Sequence, residues 1–316
     1  MQEVTSKLQS LISEAVLRCK VDSISLSGGL DSSILACCLG DKKIKAFAMV
    51  TKDFPSTDLV NAQVVAKLNN LKLFVKAATT DELLDAVEQT IKILKVFNPI
   101  EIRNNIVVYL TMKSAKEEKC KSILSGDGAD ELFAGYNFFQ RLSTEELQKD
   151  LERIWKIMHF PSRAISKSLG MDIQTPFLDE KVVKFAKSIP VDLKIHEEKG
   201  RKYGKWILRK AFEKVLPDSI TWRDKAAMQD GSGTSGLTSF FGNMISDAIF
   251  LGKKKTYADN EKVILASKEA LYYYELYRKY FDFPANLEKS KTRCPQCNYS
   301  IGEGTHFCRM CGSFPI

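Results

Sequence analysis

The sequence predicts an α/β protein: a parallel sheet with helices on both faces, a mostly helical second half and a small cysteine-rich end. Three observations carry this prediction. Short apolar runs alternate with helical patterns as far as Leu124, which is how strand–helix–strand units read. Two glycine clusters, at Gly28-Gly29 and Gly126–Gly128, directly follow two of those runs. Two Cys-x-x-Cys pairs then close the chain. At 316 residues, 44% hydrophobic and 27% charged, there is enough chain for a full α/β core and a small second unit.

Each element follows in order. Residues 4–20 set Val4, Leu8, Leu11, Ile12, Ala15, Val16 and Cys19 at helical spacing, which gives one buried face. Residues 21–26 read as a buried strand, followed by a glycine loop and a helix to about Leu39. A second strand is expected at 43–50, a helix opening at Asp58 and running to Leu68, and a third strand at 71–77. A helix starts near Thr80 with acids in its first turn, and helix 106–118 leads into strand 121–124. From about 144 to 280 the pattern is helical, with examples at 145–158, 180–188, 205–215 and 270–278. Residues 229–239 (QDGSGTSGLTS) are rich in Gly and Ser and read as a mobile loop, either a lid or a plain linker.

Composition narrows the function classes. No charged apolar leader and no run of membrane-spanning length is present, so a cytoplasmic protein with no membrane partner is expected. The net charge of +8 suits anionic substrates such as nucleotides, and also tRNA, although a solvated lysine-rich surface is the favoured account of it. Cys19, Cys37, Cys38 and Cys120 lie in apolar or helical contexts and read as reduced core residues.

The loop Ser27-Gly28-Gly29-Leu30-Asp31-Ser32-Ser33 is the first chemical feature. Paired glycines let the backbone turn and aim N–H groups at one point, and the following helix start adds unpaired donors. Ser27, Ser32 and Ser33 offer hydroxyls, and Asp31 suits a magnesium ion accompanying polyphosphate. An ordinary turn with an Asp or Ser cap is the plain alternative. The second cluster, Ser125-Gly126-Asp127-Gly128-Ala129-Asp130-Glu131, gathers three carboxylates within five positions. Such crowding calls for a cation, and a magnesium ion shared with Asp31 explains both clusters.

Together these segments resemble the synthetase domain of class B asparagine synthetase, in the PP-loop or N-type ATP pyrophosphatase superfamily. Three later stretches resemble the same family: Thr175-Pro176-Phe177-Leu178-Asp179, Lys205–Phe212, and Arg223-Asp224-Lys225 followed by Gln229-Asp230-Gly231. The resemblance implies an adenine nucleotide α-hydrolase-like fold over residues 1–288 and an ATP-dependent carbon–nitrogen ligase. A carboxylate, by default aspartate, is adenylated with loss of pyrophosphate, and ammonia then releases AMP. It implies a pyrophosphate cradle at Ser27, Gly28, Gly29 and Ser32, magnesium at Asp31 and Asp130, and adenosine against the backbone at Leu26, Met49, Ser125 and Gly126. Lys225 becomes the cation over the charged transition state, and Asp127 lies near the acyl centre. Two departures bear on the substrate: the family usually has Glu at Asp127 and Arg at Gln174. The family's glutaminase domain, with its N-terminal cysteine, has no counterpart before the first strand, so ammonia is expected from solution or a separate subunit.

Residues 289–316 read as a zinc ribbon. Cys294, Cys297, Cys308 and Cys311 form two knuckles separated by ten residues, and four thiolates match a closed, structural zinc site. Gly302, Gly304 and Gly312 fit its turns, and His306 is a neighbour or a substitute ligand. Docking of tRNA or protein, aided by the basic stretch 289–293, stands beside a purely structural end cap. Two further function classes stay open: a PP-loop enzyme that adenylates a tRNA base, and a non-catalytic nucleotide-binding scaffold.

Overall fold

The computed structural model describes residues 1–40, 43–198, 200–287, 292–302 and 305–316. The expectations placed on Lys289, Ser290, Lys291 and Gly304 lie outside the described residues. Five strands form one sheet: β1 (Ser23–Ser25), β2 (Lys45–Thr51), β3 (Lys72–Ala78), β4 (Ser122–Leu124) and β5 (Asp172–Gln174), in the order β3-β2-β1-β4-β5. β1 runs parallel to both β2 and β4, and β4 parallel to β5. The chain builds outward from β1 on one side and returns to its other side with β4. That reversal is a topological switch point, and the crevice beyond the carboxyl ends of β1 and β4 is where such sheets take ligands. Both glycine clusters begin there.

Contacts divide the chain into two compact units. One comprises residues 1–49, 57–76 and 111–227; the other comprises 50–56, 77–110 and 228–316. In the first, β1, β2 and β4 bury Ile24, Leu26, Ala46 and Leu124 with Ile34 and Leu35 of the following helix. Helix Gln2–Arg18 adds Leu8, Ile12, Ala15 and Val16, the face its spacing predicts. In the second, helix Thr80–Leu94 opens with a complete capping box between Thr79 and Glu82. Helix Lys268–Arg278 buries Tyr273, Tyr274 and Tyr277 there, and Phe97 meets Tyr274 edge-on at 4.8 Å between ring centroids. Among the described residues, no helix is long and apolar enough to cross a membrane.

Three features differ from the sequence expectation. β5 was not expected, because Asp-Ile-Gln has one apolar residue and is held by pairing with β4. The mainly helical second half also contains an antiparallel hairpin, β6 (Ile195–Glu198) with β7 (Arg201–Gly204). Finally, 229–239 is not a mobile loop. It enters helices Met228–Ser232 and Gly236–Met244, and residues 231–234 are buried. A side chain at Gly233 would overlap Thr51 and lie 2.7 Å from the Pro55 carbonyl, and one at Gly236 would run into the Phe54 ring. These glycines serve close packing, not flexibility.

Candidate active site

The loop after β1 is clamped from below. Gly28 has φ +75°, and a Cβ there would overlap the Ala62 amide and lie 2.6 Å from Asn61 C. Only glycine lets helix Asp58–Leu68 approach this closely. Arg223 then donates to the Gly28 carbonyl at 3.2 Å and pairs with Asp58 at 3.1 Å. Helix Leu30–Cys37 starts at Gly29 with no side-chain cap, so its first N–H groups keep their capacity for an anion. The Ser27 and Ser32 hydroxyls converge at 3.2 Å, and Ser27 Oγ also accepts from Gly29 N at 3.2 Å. Ser33 does not join them: its buried hydroxyl donates to the Gly29 carbonyl at 2.7 Å, so it shapes the turn instead of facing a ligand.

Asp31 and Asp130 come together as expected, but around a lysine absent from the sequence-derived site. The Lys205 ammonium lies 2.6 Å from Asp31 Oδ2 and 2.7 Å from Asp130 Oδ1. Lys225 donates to the same Asp130 oxygen. Burial opposes the charge on Asp130, yet Lys205 and Lys225 outweigh it and hold its carboxyl well below the usual range. At Asp31 burial prevails, reinforced by Asp130, and lifts the carboxyl despite Lys205. Burial likewise disfavours charge on Lys205, but its two carboxylates raise it. Lys225 is lowered by burial and by Lys205, against the pull of Asp130. The signal for Lys205 was a lone charge in the apolar run Gly204-Lys205-Trp206-Ile207-Leu208.

Local backbone explains how Lys205 gets there. It sits at φ +55° just before helix Trp206–Phe212, a left-handed conformation costing roughly 1 kcal/mol in a residue with a side chain. Its amide donates to the Phe133 carbonyl at 3.0 Å. A Cβ at Gly135 would overlap both the Asp130 carboxylate and Lys205 Cε, and one at Gly204 would lie 2.6 Å from the Ala134 carbonyl. Two glycines thus permit the approach. Buried Arg209 fixes it, donating to the carbonyls of Gly204 at 2.9 Å, Arg223 at 3.1 Å, and Thr221.

The remaining acids flank this cluster. Asp127 is raised by burial, against a hydrogen bond from Ser162 Oγ that favours its charge. Glu131 is raised by burial too, and accepts from the Tyr136 hydroxyl at 2.6 Å. Lys225 Nζ lies 4.7 Å from the Tyr136 ring centroid, a cation–π contact. Leu26, just past β1, and Met49, within β2, are both buried. The amides of Leu26 and Ser125 are spent on the Phe47 carbonyl at 2.8 Å and the Gln174 carbonyl at 2.9 Å. Backbone contact with a ligand there falls to their carbonyls. A Cβ on Gly126 would lie 3.1 Å from Asp31 Cβ, so this glycine brings the second cluster against the first. The Gln174 side chain is turned away, bonded to the Lys20 backbone at 3.2 Å and to Asp172 at 2.9 Å. Its expected influence on the acyl centre has no geometric support.

The four terminal cysteines form a separate cluster. Their sulfurs all lie within 4.8 Å of one another, with Cys294–Cys311 and Cys297–Cys308 each at 3.7 Å. Bonded sulfurs would be about 2 Å apart, whereas a tetrahedron with metal–sulfur bonds of about 2.3 Å has edges near 3.8 Å. The knuckles dock within the second unit. Phe97 N donates to the Met310 carbonyl at 2.9 Å, Arg309 pairs with Glu101 at 2.8 Å, and Gly312 packs where a Cβ would meet Asn98.

Fold and site together define an α/β protein with a glycine loop and an uncapped helix start beside a lysine–carboxylate cluster at the switch point of its sheet. The asparagine synthase family model matches residues 7–164 and 144–294, and the chain belongs to that family. A probable glutamine-hydrolysing asparagine synthetase of Dictyostelium discoideum is 31% identical over 313 residues, covering 89% of this chain and 53% of that one. Asparagine synthetase 3 of Arabidopsis thaliana is 28% identical over 282 residues, covering 82% and 48%. The chain thus spans about half the length of these relatives. Among solved structures, NMN synthetase from Francisella tularensis overlays 88% of the chain and 92% of its own at a TM-score of 0.40 and 12% identity.

Proposed function

We propose that the chain is an ATP-dependent amidoligase that adenylates a carboxylate, by default aspartate, and passes the acyl group to ammonia. The carboxylate oxygen attacks the α-phosphorus and pyrophosphate leaves; ammonia then attacks the acyl carbon, AMP leaves and one proton is released. The observation that carries this reading is the joining of Asp31, Asp130, Lys205 and Lys225 beside the uncapped helix at Gly29. A polyphosphate needs both backbone donors and mobile cations, and both are present.

In this reading Ser27, Gly28, Gly29 and Ser32 hold the leaving pyrophosphate, while backbone at Leu26, Met49, Ser125 and Gly126 borders the adenosine. Lys225 offsets phosphate charge and then the oxyanion at the acyl carbon. Its depressed basicity, set by burial and Lys205, lets it release a proton more readily than a surface lysine. Asp127, held by Ser162, borders the acyl group. Asp31 and Asp130 would hold magnesium: they are hard oxygen donors, and buried Asp31 Oδ1 accepts no hydrogen bond among the described residues. Bound there, the ion would neutralise charge on the phosphates. The four cysteines fit zinc in a closed structural site. Ammonia enters from solution or from a separate glutaminase subunit.

The test is pyrophosphate release from ATP over a panel of carboxylic acids and tRNA, with and without ammonia. Release that requires aspartate and ammonia, with asparagine as product, is expected. Release that requires tRNA alone would overturn the reading in favour of base modification, and nucleotide binding without turnover would favour a scaffold.

A further inference from the structure

We infer that Lys205 is the resident counter-ion of the Asp31–Asp130 pair, so that a divalent cation gains these carboxylates only when a polyphosphate takes over the lysine. The inference rests on the reading that Asp31 and Asp130 are metal ligands.

One ammonium, 6% exposed, touches both acids at hydrogen-bond distance, 2.6 Å from Asp31 Oδ2 and 2.7 Å from Asp130 Oδ1. A metal ion bridging the two acids and this ammonium are therefore rivals for the same oxygens, and two such cations side by side repel each other. The acids are not equivalent, however. Asp130 has Lys225 as a second cation, so it stays compensated if Lys205 withdraws. Asp31 is ion-paired with Lys205 alone among the described residues, Lys225 acting on it only at longer range, and its other oxygen, Oδ1, is buried with no hydrogen bond among the described residues. Withdrawal of Lys205 leaves a buried carboxylate without a direct ion-pair partner, which favours binding of a hard cation.

The ammonium has somewhere to go. It is carried on a flexible four-carbon stem, while its backbone is pinned at Phe133 and by Arg209 on Gly204. Phosphate oxygens arriving at the helix start that carries Asp31 supply the negative charge needed to draw it off. Metal and polyphosphate then bind as a unit, each favouring the other by the same factor. Lys205 acts here as a positioning residue, setting when the acids become ligands.

The test follows Mn2+ by its electron paramagnetic signal in protein without nucleotide, then with an ATP analogue in which a methylene group replaces the oxygen bridging the α- and β-phosphates. Wild-type protein should bind Mn2+ weakly alone and about tenfold or more tightly with the analogue, after correction for Mn2+ bound to free analogue. Lys205→Met should bind Mn2+ without analogue about tenfold more tightly than wild type, and adding Asp31→Asn should remove that gain. Lys205→Gln, which keeps a hydrogen-bond donor, serves if the Met variant does not fold. Equal Mn2+ affinity in wild type and the Lys205 variants without analogue would overturn the inference, as would no binding in any form. Because the readout needs no acyl acceptor, it stands apart from the outcome of the pyrophosphate assay.

Discussion

Lys194 and Lys205 stand at the two ends of the β6–β7 hairpin, joined by a hydrogen bond from Trp206 N to the Lys194 carbonyl at 3.0 Å. Both are buried, at 0% and 5% exposure, yet burial acts on them with opposite results. Lys205 meets two carboxylates, which outweigh desolvation and raise its basicity. The Lys194 ammonium has no hydrogen-bond partner among the described residues. Burial, with some help from Lys187, pushes it down to about 7. Its one compensation is the Trp155 ring, 4.5 Å from Nζ. A buried lysine is thus not a site by virtue of burial. What makes Lys205 part of one is the pair of acids, one after β1 and one after β4, that Gly135 and Gly204 let it approach.

The largest effect expected from this contrast is on turnover. Asp130→Asn removes the charge that holds both Lys205 and Lys225, and should lower pyrophosphate formation by about 10³-fold or more. Metal bound by the cysteine cluster, measured per chain, should stay unchanged and reports that the second unit is folded. Lys194→Met, in the same assay, should stay within about twofold of wild type. Comparable losses in both variants would break the distinction between the two lysines.

Arg209 sharpens the comparison from the scaffold side. Its guanidinium donates to the carbonyls of Gly204, Thr221 and Arg223, the first of them on the residue before Lys205. Arg209→Met leaves buried carbonyls unsatisfied and should cost roughly 2–4 kcal/mol in denaturant unfolding. The surviving folded enzyme should need more ATP for half-maximal rate, because Gly204 and Arg223 no longer hold Lys205 and the Gly28 carbonyl in place. An unchanged midpoint would mean water replaces the lost donors.

Much of this was legible in the sequence. β1 to β4 and most of their helices fall within a few residues of where periodicity puts them, because each has an apolar run or face long enough to read; the helix before β4, expected from 106, begins at Pro99. Asp31 and Asp130 were legible as a pair needing a cation. The identity of that cation was not, since Lys205 reaches them only through a left-handed backbone and the closeness of Gly135 and Gly204. β5 and the hairpin were illegible for a related reason: Asp-Ile-Gln and Ile-His-Glu-Glu carry almost no local strand signal and are made strands by their neighbours. Gly233 and Gly236 misled in the opposite direction, since composition does not separate glycine used for freedom from glycine used for contact. Where the Gln174 side chain goes, to the Lys20 backbone and Asp172, was not legible either, because side-chain direction is not encoded in position along a motif.

The smallest effect is one of stability, and its sign follows from linkage. Lys194 titrates near 7 in the folded chain and near 10.4 in the unfolded one. Between those values the unfolded chain binds the extra proton, so this group makes stability rise with pH from about 7 to about 10. Below 7 both states are protonated and the full penalty remains. Lys194→Met removes the penalty and forfeits the contact with Trp155, worth roughly 1–2 kcal/mol when desolvated. The variant should therefore be more stable than wild type by about 1–3 kcal/mol at pH 7, with the gap closing toward pH 10. Urea unfolding of both proteins at pH 7, 8, 9 and 10 measures it, and the difference between them cancels the other titrating groups. A gap that stays constant across that range would mean Lys194 keeps its proton in the folded state, held by the Trp155 ring as firmly as Lys205 is held by its acids.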